Sequence, residues 1–231
     1  MPAGPTAKVE TVFVKICGVT TEDDALLAVA LGADAVGFVF APSKRQIASS
    51  RVRDIVRRLP TEILTVGVFR NELPARVVEI VNEARLSGAQ LHGQESIADT
   101  RWVAERVSVC IKAFPAGVSA LDNADEYGAS ALLIDSPKPG SGEVFDWSLA
   151  EGAPSHRRVI LAGGLTPDNV DEAIQRVQPW GVDVSSGVEA SPGRKDPRLL
   201  RAFIANAQAA PTAEHNRPPE DGFYNWEEEL R

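Results

Sequence analysis

The sequence predicts an α/β fold, a single closed barrel of parallel strands each followed by a helix, on three observations. Short runs rich in β-branched and aromatic residues alternate without a break with segments whose apolar residues recur at helical spacing, and eight such units can be counted. Glycine- and serine-rich stretches of the kind that cradle phosphate follow the seventh and eighth units. No Gly-x-Gly-x-x-Gly follows the first unit, as a doubly wound dinucleotide fold would ask. An open doubly wound sheet is the competing architecture, but eight units joined by right-handed crossovers close into a (β/α)8 TIM barrel with no edge left over. The expected organisation is a loose leader over residues 1–10, a barrel over 11–208 and an extension over 209–231.

Taken in order, Val12 to Ile16 read as a strand, Gly18 breaks it, and Thr20 and Thr21 offer hydroxyl caps to a helix opening on Glu22, Asp23 and Asp24. Ala25, Leu26, Val29 and Ala30 carry that helix to Gly32. Asp34 to Phe40 form the second strand, followed by a polar loop from Pro42 to Gln46 and a helix with Val52, Ile55, Val56 and Leu59 that Pro60 stops. Ile63 to Phe69 are the third strand; Asn71 to Pro74 open a helix bearing Val77, Val78, Ile80, Val81 and Ala84. Ala89 to Gly93 are a short fourth strand, Glu95 to Arg106 a helix, Ser108 to Phe114 a strand, and Ser119 to Tyr127 a weaker helix. Ala131 to Asp135 are the sixth strand, apolar until its last residue, and a Gly/Pro-rich loop from Ser136 leads to a short helix near Asp146 and Trp147. Val159 to Ala162 run into Gly163-Gly164. Thr166-Pro167-Asp168 start the next helix, and Val182 to Val184 run into Ser185-Ser186-Gly187. Val188-Glu189-Ala190 read as one extra helical turn before the final helix, which starts at Asp196-Pro197.

A net charge of −8 argues against a general nucleic-acid or anionic-membrane surface, but leaves room for a phosphorylated small molecule held by local backbone amides. The two cysteines, Cys17 and Cys110, stand in unrelated contexts, and His92, His156 and His215 are scattered, so neither a disulfide framework nor a metal-ligand spacing is read. The opening Met-Pro-Ala-Gly-Pro has no charged n-region or apolar h-segment, and no run of apolar residues is long enough to span a bilayer. The expectation is a reduced, cytoplasmic protein, monomeric or a homodimer.

Cys17 sits where the first strand hands over to a helix, the rim on which parallel α/β folds gather ligand-binding side chains. An unpaired cysteine taken alone is more often a small buried hydrophobe. Asp135 ends an apolar strand on the same rim, so a carboxyl and a thiol facing one another make an acid/base pair, unless Asp135 only caps its loop. Arg45, after the second strand, suits a bidentate carboxylate clamp; His92, at the end of the fourth strand beside Gln90, suits pocket lining or a bond to a loop. Gly163-Gly164 and Ser185-Ser186-Gly187 suit a phosphate cradle, two ordinary turns being the bland reading.

The stretches VKICGVT, GADAVGFVF, SKR, GVF, QLHG, LLID, FDW, LAGGLTPDNV and DVSSGVE…PGRKD, in order from about Val12 to Ala207, resemble the phosphoribosylanthranilate isomerase family of tryptophan biosynthesis. The resemblance implies a (β/α)8 barrel that performs an Amadori rearrangement of N-(5-phosphoribosyl)anthranilate without metal or organic cofactor. By position it implies Cys17 as general base, Asp135 as general acid, and Arg45 on the anthranilate carboxylate. The late loops (Gly163, Gly164, Ser185, Ser186, Gly187) fall at the phosphate site, and His92 and Asp183 among the substrate-binding residues. An acid at Asp135 has to carry a proton to the furanose ring oxygen, and a base at Cys17 has to ionise, which a nearby positive charge favours. Three departures stand out: a short loop after the sixth strand (Pro139 to Glu143), Ala162 where serine is common, and a tail from about Pro211 without counterpart.

Two other readings compete. The histidine-pathway isomerase, or a dual-substrate version, resembles this fold but uses an aspartate where Cys17 stands and needs a second phosphate site that the stretches Arg70-Asn71 and Gly93-Gln94 lack. A barrel binding a phosphometabolite as a regulator would have no use for Cys17 and Asp135. In the tail, Phe223, Tyr224 and Trp226 are expected to dock on the outer or lower barrel surface, away from the catalytic mouth.

Overall fold

The computed structural model describes residues 11–136, 147–149 and 156–211. The predicted leader, the loop from Pro139 to Glu143 and the aromatic tail lie outside the described residues. Eight parallel strands close a barrel in sequence order: β1 (Phe13–Ile16), β2 (Ala35–Val39), β3 (Leu64–Phe69), β4 (Gly88–Leu91), β5 (Val109–Pro115), β6 (Ala131–Asp135), β7 (Val159–Leu161) and β8 (Gly181–Val184). β8 returns to β1 in the register Phe13↔Gly181, Val14↔Val182, Lys15↔Asp183 and Ile16↔Val184, so no sheet edge remains. Among the described residues six α-helices surround it: α1 (Glu22–Ala30), α2 (Ser49–Val56), α3 (Pro74–Ala84), α4 (Ile97–Ala104), α5 (Val170–Val177) and α6 (Pro197–Ala209). Among the described residues none is long and apolar enough to cross a membrane.

The two-residue period of the strands divides the core in two. Val14, Ile16, Val36, Phe38, Leu132, Ile134, Val182 and Val184 face outward and pack with the helices. Ala35, Leu64, Val66, Val109, Ile111, Leu133 and Ile160 fill the barrel interior, with Phe13 and Trp180 against them. Phe13 and Trp180 stack with ring centroids 4.4 Å apart. The same alternation turns Lys15 into the barrel, two residues before Cys17.

Helix ends follow local chemistry. Thr21 caps α1 by accepting from the Asp24 N–H, Ser96 caps α4 by accepting from Asp99, and Asp196 caps α6 with Pro197 in the first turn. The predicted helix from Ser119 to Tyr127 is 3-10 in form and kinked at Asn123, consistent with short polar side chains that compete for backbone bonds. Trp147–Leu149 form one 3-10 turn. The extra turn predicted at Val188-Glu189-Ala190 falls earlier, at Ser186–Val188. Glu189–Ser191 (β9) instead run extended and pair antiparallel with Arg194–Lys195 (β10). That hairpin presents the Glu189 carboxylate to Arg45 and Lys195, contacts a helical turn would not make.

The predicted start of α4 at Glu95 also moves, because Glu95 serves elsewhere. Its carboxylate accepts from Lys112 Nζ at 2.8 Å, the Asn71 N–H at 2.8 Å and the Gly93 N–H at 2.9 Å, while Lys112 also donates to the carbonyls of Gly93 and Leu91. This buried knot ties the loops after β3 and β4 to β5. Burial opposes the charge on Glu95, but Lys112 and the backbone donors outweigh it and hold the pKa below the usual carboxylate value. Glu95→Gln should therefore lower stability by about 3–5 kcal/mol at neutral pH, the range for breaking a buried ion pair. A carboxylate depressed in the folded state stabilises fully above its unfolded pKa and loses that contribution as pH falls through the folded value. The melting-temperature gap between wild type and Glu95→Gln should thus narrow on acidification below the ordinary carboxylate range.

Candidate active site

The C-terminal ends of the strands open on a cavity of about 310 Å³. Cys17 from β1, Arg45 from the loop after β2, His92 after β4, Asp135 from β6, Gly163 and Gly164 after β7, and Asp183, Ser185 and Ser186 from β8 and its loop all line it. Of the site residues predicted from the sequence, only Gly187 stays out of the lining. It backs onto the preceding loop so closely that a Cβ there would stand 1.9 Å from the Leu165 carbonyl oxygen. Ala162, Arg70, Gln90 and Ser136 are also among the lining residues, Arg70 and Ser136 without having been singled out as site residues.

Cys17 is 7 % exposed, and its N–H donates to the Val184 carbonyl at 2.8 Å, which prolongs the β1–β8 ladder by one bond. Three cations surround it. Lys15 lies one pleat below, fully buried, and donates to Asp183 Oδ1 at 2.8 Å. Lys195 Nζ donates to the Cys17 carbonyl at 2.6 Å, the Ser185 carbonyl at 3.0 Å and Glu189 Oε1 at 3.2 Å. Arg45 meets Glu189 as a fork, through Nε to Oε1 and Nη2 to Oε2, both at 2.8 Å. The bidentate carboxylate partner predicted for Arg45 is thus, in the described structure, a side chain of the same protein. Nη1 takes no part in that pair.

Burial pushes the Cys17 thiol above its ordinary pKa, Lys15 and Lys195 pull it back, and Asp183 adds to the rise. Burial also works against the Glu189 carboxylate, but the Arg45 bond and the Lys195 charge hold it below the usual value. The positive surroundings expected of a thiolate are therefore present, and dehydration outweighs them.

Asp135 sits on the other side of the mouth, 8 % exposed. Oδ1 accepts from the Ser136 N–H at 2.7 Å, and Oδ2 lies 3.1 Å from His92 Nε2. His92 Nδ1 in turn lies 2.8 Å from Gln90 Nε2, and Gln90 Oε1 is buried without a partner among the described residues. With the amide in this orientation Gln90 donates, so His92 Nε2–H donates to a carboxylate. Turned over, Oε1 accepts from Nδ1–H and Nε2 accepts a proton carried by Asp135. Gln90, His92 and Asp135 thus form one chain whose two polarities match the two protonation states of the carboxyl.

The late loops are held from behind. Gly163 and Gly164 take φ of 87° and 68°, the left-handed region open to glycine, and Asn169 fastens their loop by accepting from the Thr166 N–H and donating to the Gly164 carbonyl. Lys15 was not singled out from the sequence, although a charge within an apolar strand is a signal that it must find a partner. Glu189 and Lys195 gave no such signal, since both lie in a polar stretch.

Residues 14–206 match the family model described as N-(5'-phosphoribosyl)anthranilate (PRA) isomerase. A protein of Desulforudis audaxviator named N-(5'-phosphoribosyl)anthranilate isomerase is 50% identical over 205 residues, spanning 86% of this chain and 98% of that protein. A solved phosphoribosyl anthranilate isomerase from Thermus thermophilus superposes with a TM-score of 0.79 at 45% identity, covering 84% of this chain and 97% of that one. Another, solved in complex with reduced 1-(o-carboxyphenylamino)-1-deoxyribulose 5-phosphate, has a TM-score of 0.76 at 44% identity, covering 85% and 98%.

The two cysteines should react differently. Burial pushes the Cys110 thiol to about 12, and it is 1 % exposed on the helix-facing side, whereas Cys17 opens on the cavity. Iodoacetamide followed by peptide mass mapping should modify Cys17 at least about tenfold faster than Cys110, since the thiolate is the nucleophile. The Cys17 rate should keep rising at pH values where a free cysteine has levelled off.

Proposed function

The chain belongs to the N-(5'-phosphoribosyl)anthranilate isomerase family and catalyses that isomerase step in tryptophan biosynthesis; we propose that Cys17 and Asp135 are the base and acid of its Amadori rearrangement. The observation that carries the assignment is that β1 and β6 each end in an ionisable side chain lining one cavity, one a thiol and the other a carboxyl. Asp135–H protonates the furanose ring oxygen as its bond to C1 breaks, and the anthranilate nitrogen supplies the electron pair that makes a protonated Schiff base. Cys17, as thiolate, removes the proton from C2, and the electrons collapse toward the cationic nitrogen to give an enolamine. Tautomerisation of the enolamine yields the 1-amino-1-deoxyketose. No electron leaves the substrate, so the balance closes without a redox partner.

The cationic Schiff base is itself an aid to the base. It forms over a thiol that burial keeps neutral, and its charge favours ionisation at the moment the thiolate is needed. His92 and Gln90 orient Asp135 for both the delivery and the recovery of its proton. The phosphate is assigned to the backbone of Gly163-Gly164 and Ser185-Ser186-Gly187, with Gly187 shaping the cradle from behind, and Asp183 bounds the pocket beside the base. The anthranilate carboxylate is assigned to Arg45, whose Nη1 edge is left over by the pair with Glu189. Because one chain supplies every assigned residue, the reading holds for a monomer or a homodimer alike. Two cysteines left as free thiols suit a reducing cytoplasm.

The test is a fluorescence assay that follows consumption of N-(5'-phosphoribosyl)anthranilate generated in place. Cys17→Ala and Asp135→Asn should each lower kcat by about 10²-fold or more with the fold retained, since positioned acid–base catalysis contributes roughly 10²–10⁴. Near wild-type kcat for Cys17→Ala at saturating substrate would remove the base assignment. Arg45→Ala should weaken binding of the anthranilate moiety by about 1.5–3 kcal/mol, and an analogue without the ring carboxylate should lose little more. Equal losses for both ligands would place Arg45 away from the carboxylate.

A further inference from the structure

One fully buried ammonium is not used in the steps above. Lys15 is 0 % exposed inside the barrel, on the strand that ends at Cys17 and facing the same side. An ammonium has three protons to place. Lys195 places all three on oxygen, at the carbonyls of Cys17 and Ser185 and at Glu189, and has none left for sulfur. Lys15 has a single oxygen acceptor among the described residues, Asp183 Oδ1, and the Cys17 side chain is the other ionisable group that acts on its charge. Gly37 on β2 locates the two groups. A Cβ built there would stand 3.0 Å from Cys17 Sγ and 3.2 Å from Lys15 Nζ, so sulfur and ammonium crowd one small volume that a side chain on β2 would fill.

Resting on the reading of Cys17 as base, we propose that Lys15 is a positioning residue of the reaction: its buried ammonium, held by Asp183, donates to the Cys17 sulfur and stabilises the thiolate. The charged groups around the sulfur are Lys15 from β1, Asp183 from β8, Lys195 from β10 and Arg45 from the loop after β2. Of these, Lys15 is the fully buried cation with one bond to oxygen, whereas Lys195 spends all three protons on oxygen and Arg45 is forked onto Glu189. Asp183 keeps it charged where burial alone would favour the neutral amine, since the pair and the neighbouring thiol together raise the Lys15 pKa above its ordinary value. The ion pair therefore does more than occupy the barrel interior. It supplies a fixed positive charge below the sulfur, complementary to the transient positive charge of the substrate above it.

The experiment titrates the Cys17 thiolate in the ligand-free protein by its ultraviolet absorbance, in difference against Cys17→Ser on each background. Lys15→Met should raise the midpoint by about one pH unit or more, and the acidic limb of kcat/KM should move up with it, a loss of about tenfold near neutrality per unit. Activity should return toward the wild-type plateau at high pH. Asp183→Asn, which keeps the ammonium and removes the opposing carboxylate, should move the midpoint the other way. Lys15→Met/Asp183→Asn, which leaves no uncompensated charge in the barrel, serves should the single variant not fold, and its midpoint should also lie above wild type. A purely structural pair would lower the melting temperature of these variants while leaving the thiolate midpoint in place, and that result overturns the proposal; so does a midpoint unchanged or raised by Asp183→Asn. Failure of the base assignment is read separately, from the kcat of Cys17→Ala, and would leave the titration result standing.

Discussion

Closure of β8 onto β1 is the constraint on which the remaining structure depends. The register that sets Lys15 opposite Asp183 and Ile16 opposite Val184 also lets the Cys17 N–H bond the Val184 carbonyl. One ladder thereby sets the height of the sulfur, the seat of the buried ion pair and the departure point of Ser185 and Ser186. A one-residue slip would turn Val14 and Ile16 into the barrel and Lys15 out among the helices, so the burial pattern enforces the same register that the chemistry needs. Cys17 and Ser185 stand 168 positions apart in the chain and become neighbours only through this seam.

Charge on the seam side of the mouth is layered. Lys15 and Asp183 lie beneath the sulfur, Lys195 beside it on backbone carbonyls, and Arg45 with Glu189 above, where the loop after β2 meets the β9–β10 hairpin. Lys15 has Asp183 to itself, whereas Arg45 and Lys195 share Glu189, so three cations stand against two carboxylates and the seam side keeps an excess of positive charge. The opposite wall is built differently, as a hydrogen-bonded chain from Gln90 through His92 to Asp135. A thiol among cations thus faces, across one cavity, a carboxyl held by a histidine.

The scaffold behind these walls is stiffened by contacts remote from the chemistry. The Glu95–Lys112 knot fastens the loops that present Arg70 and His92, and Asn169 fastens the loop that presents Gly163 and Gly164. Both fasteners use buried or half-buried polar side chains whose partners are backbone groups of loops. That is how a rim made of irregular segments can hold side chains in register.

Strand and helix alternation, the apolar runs and the glycine-bearing late loops were legible because they are local: periodicity and turn chemistry act over a few neighbouring residues. From them came the barrel, the rim position of Cys17, Asp135, Arg45 and His92, and the placement of most predicted site residues around one cavity. The family resemblance added roles to those positions. The sequence did not determine the partner of any charge, because ion pairs form across strands distant in the chain. Arg45 reads alone as a clamp awaiting a ligand and folds as the partner of Glu189, 144 residues on. The Val188–Ala190 segment reads as a helical turn, but the turn ends at Val188 and Glu189 and Ala190 run extended, where Glu189 meets Arg45 and Lys195. What the tertiary structure alone decided is which buried charges face one another, for that depends on barrel closure and not on any run of neighbours.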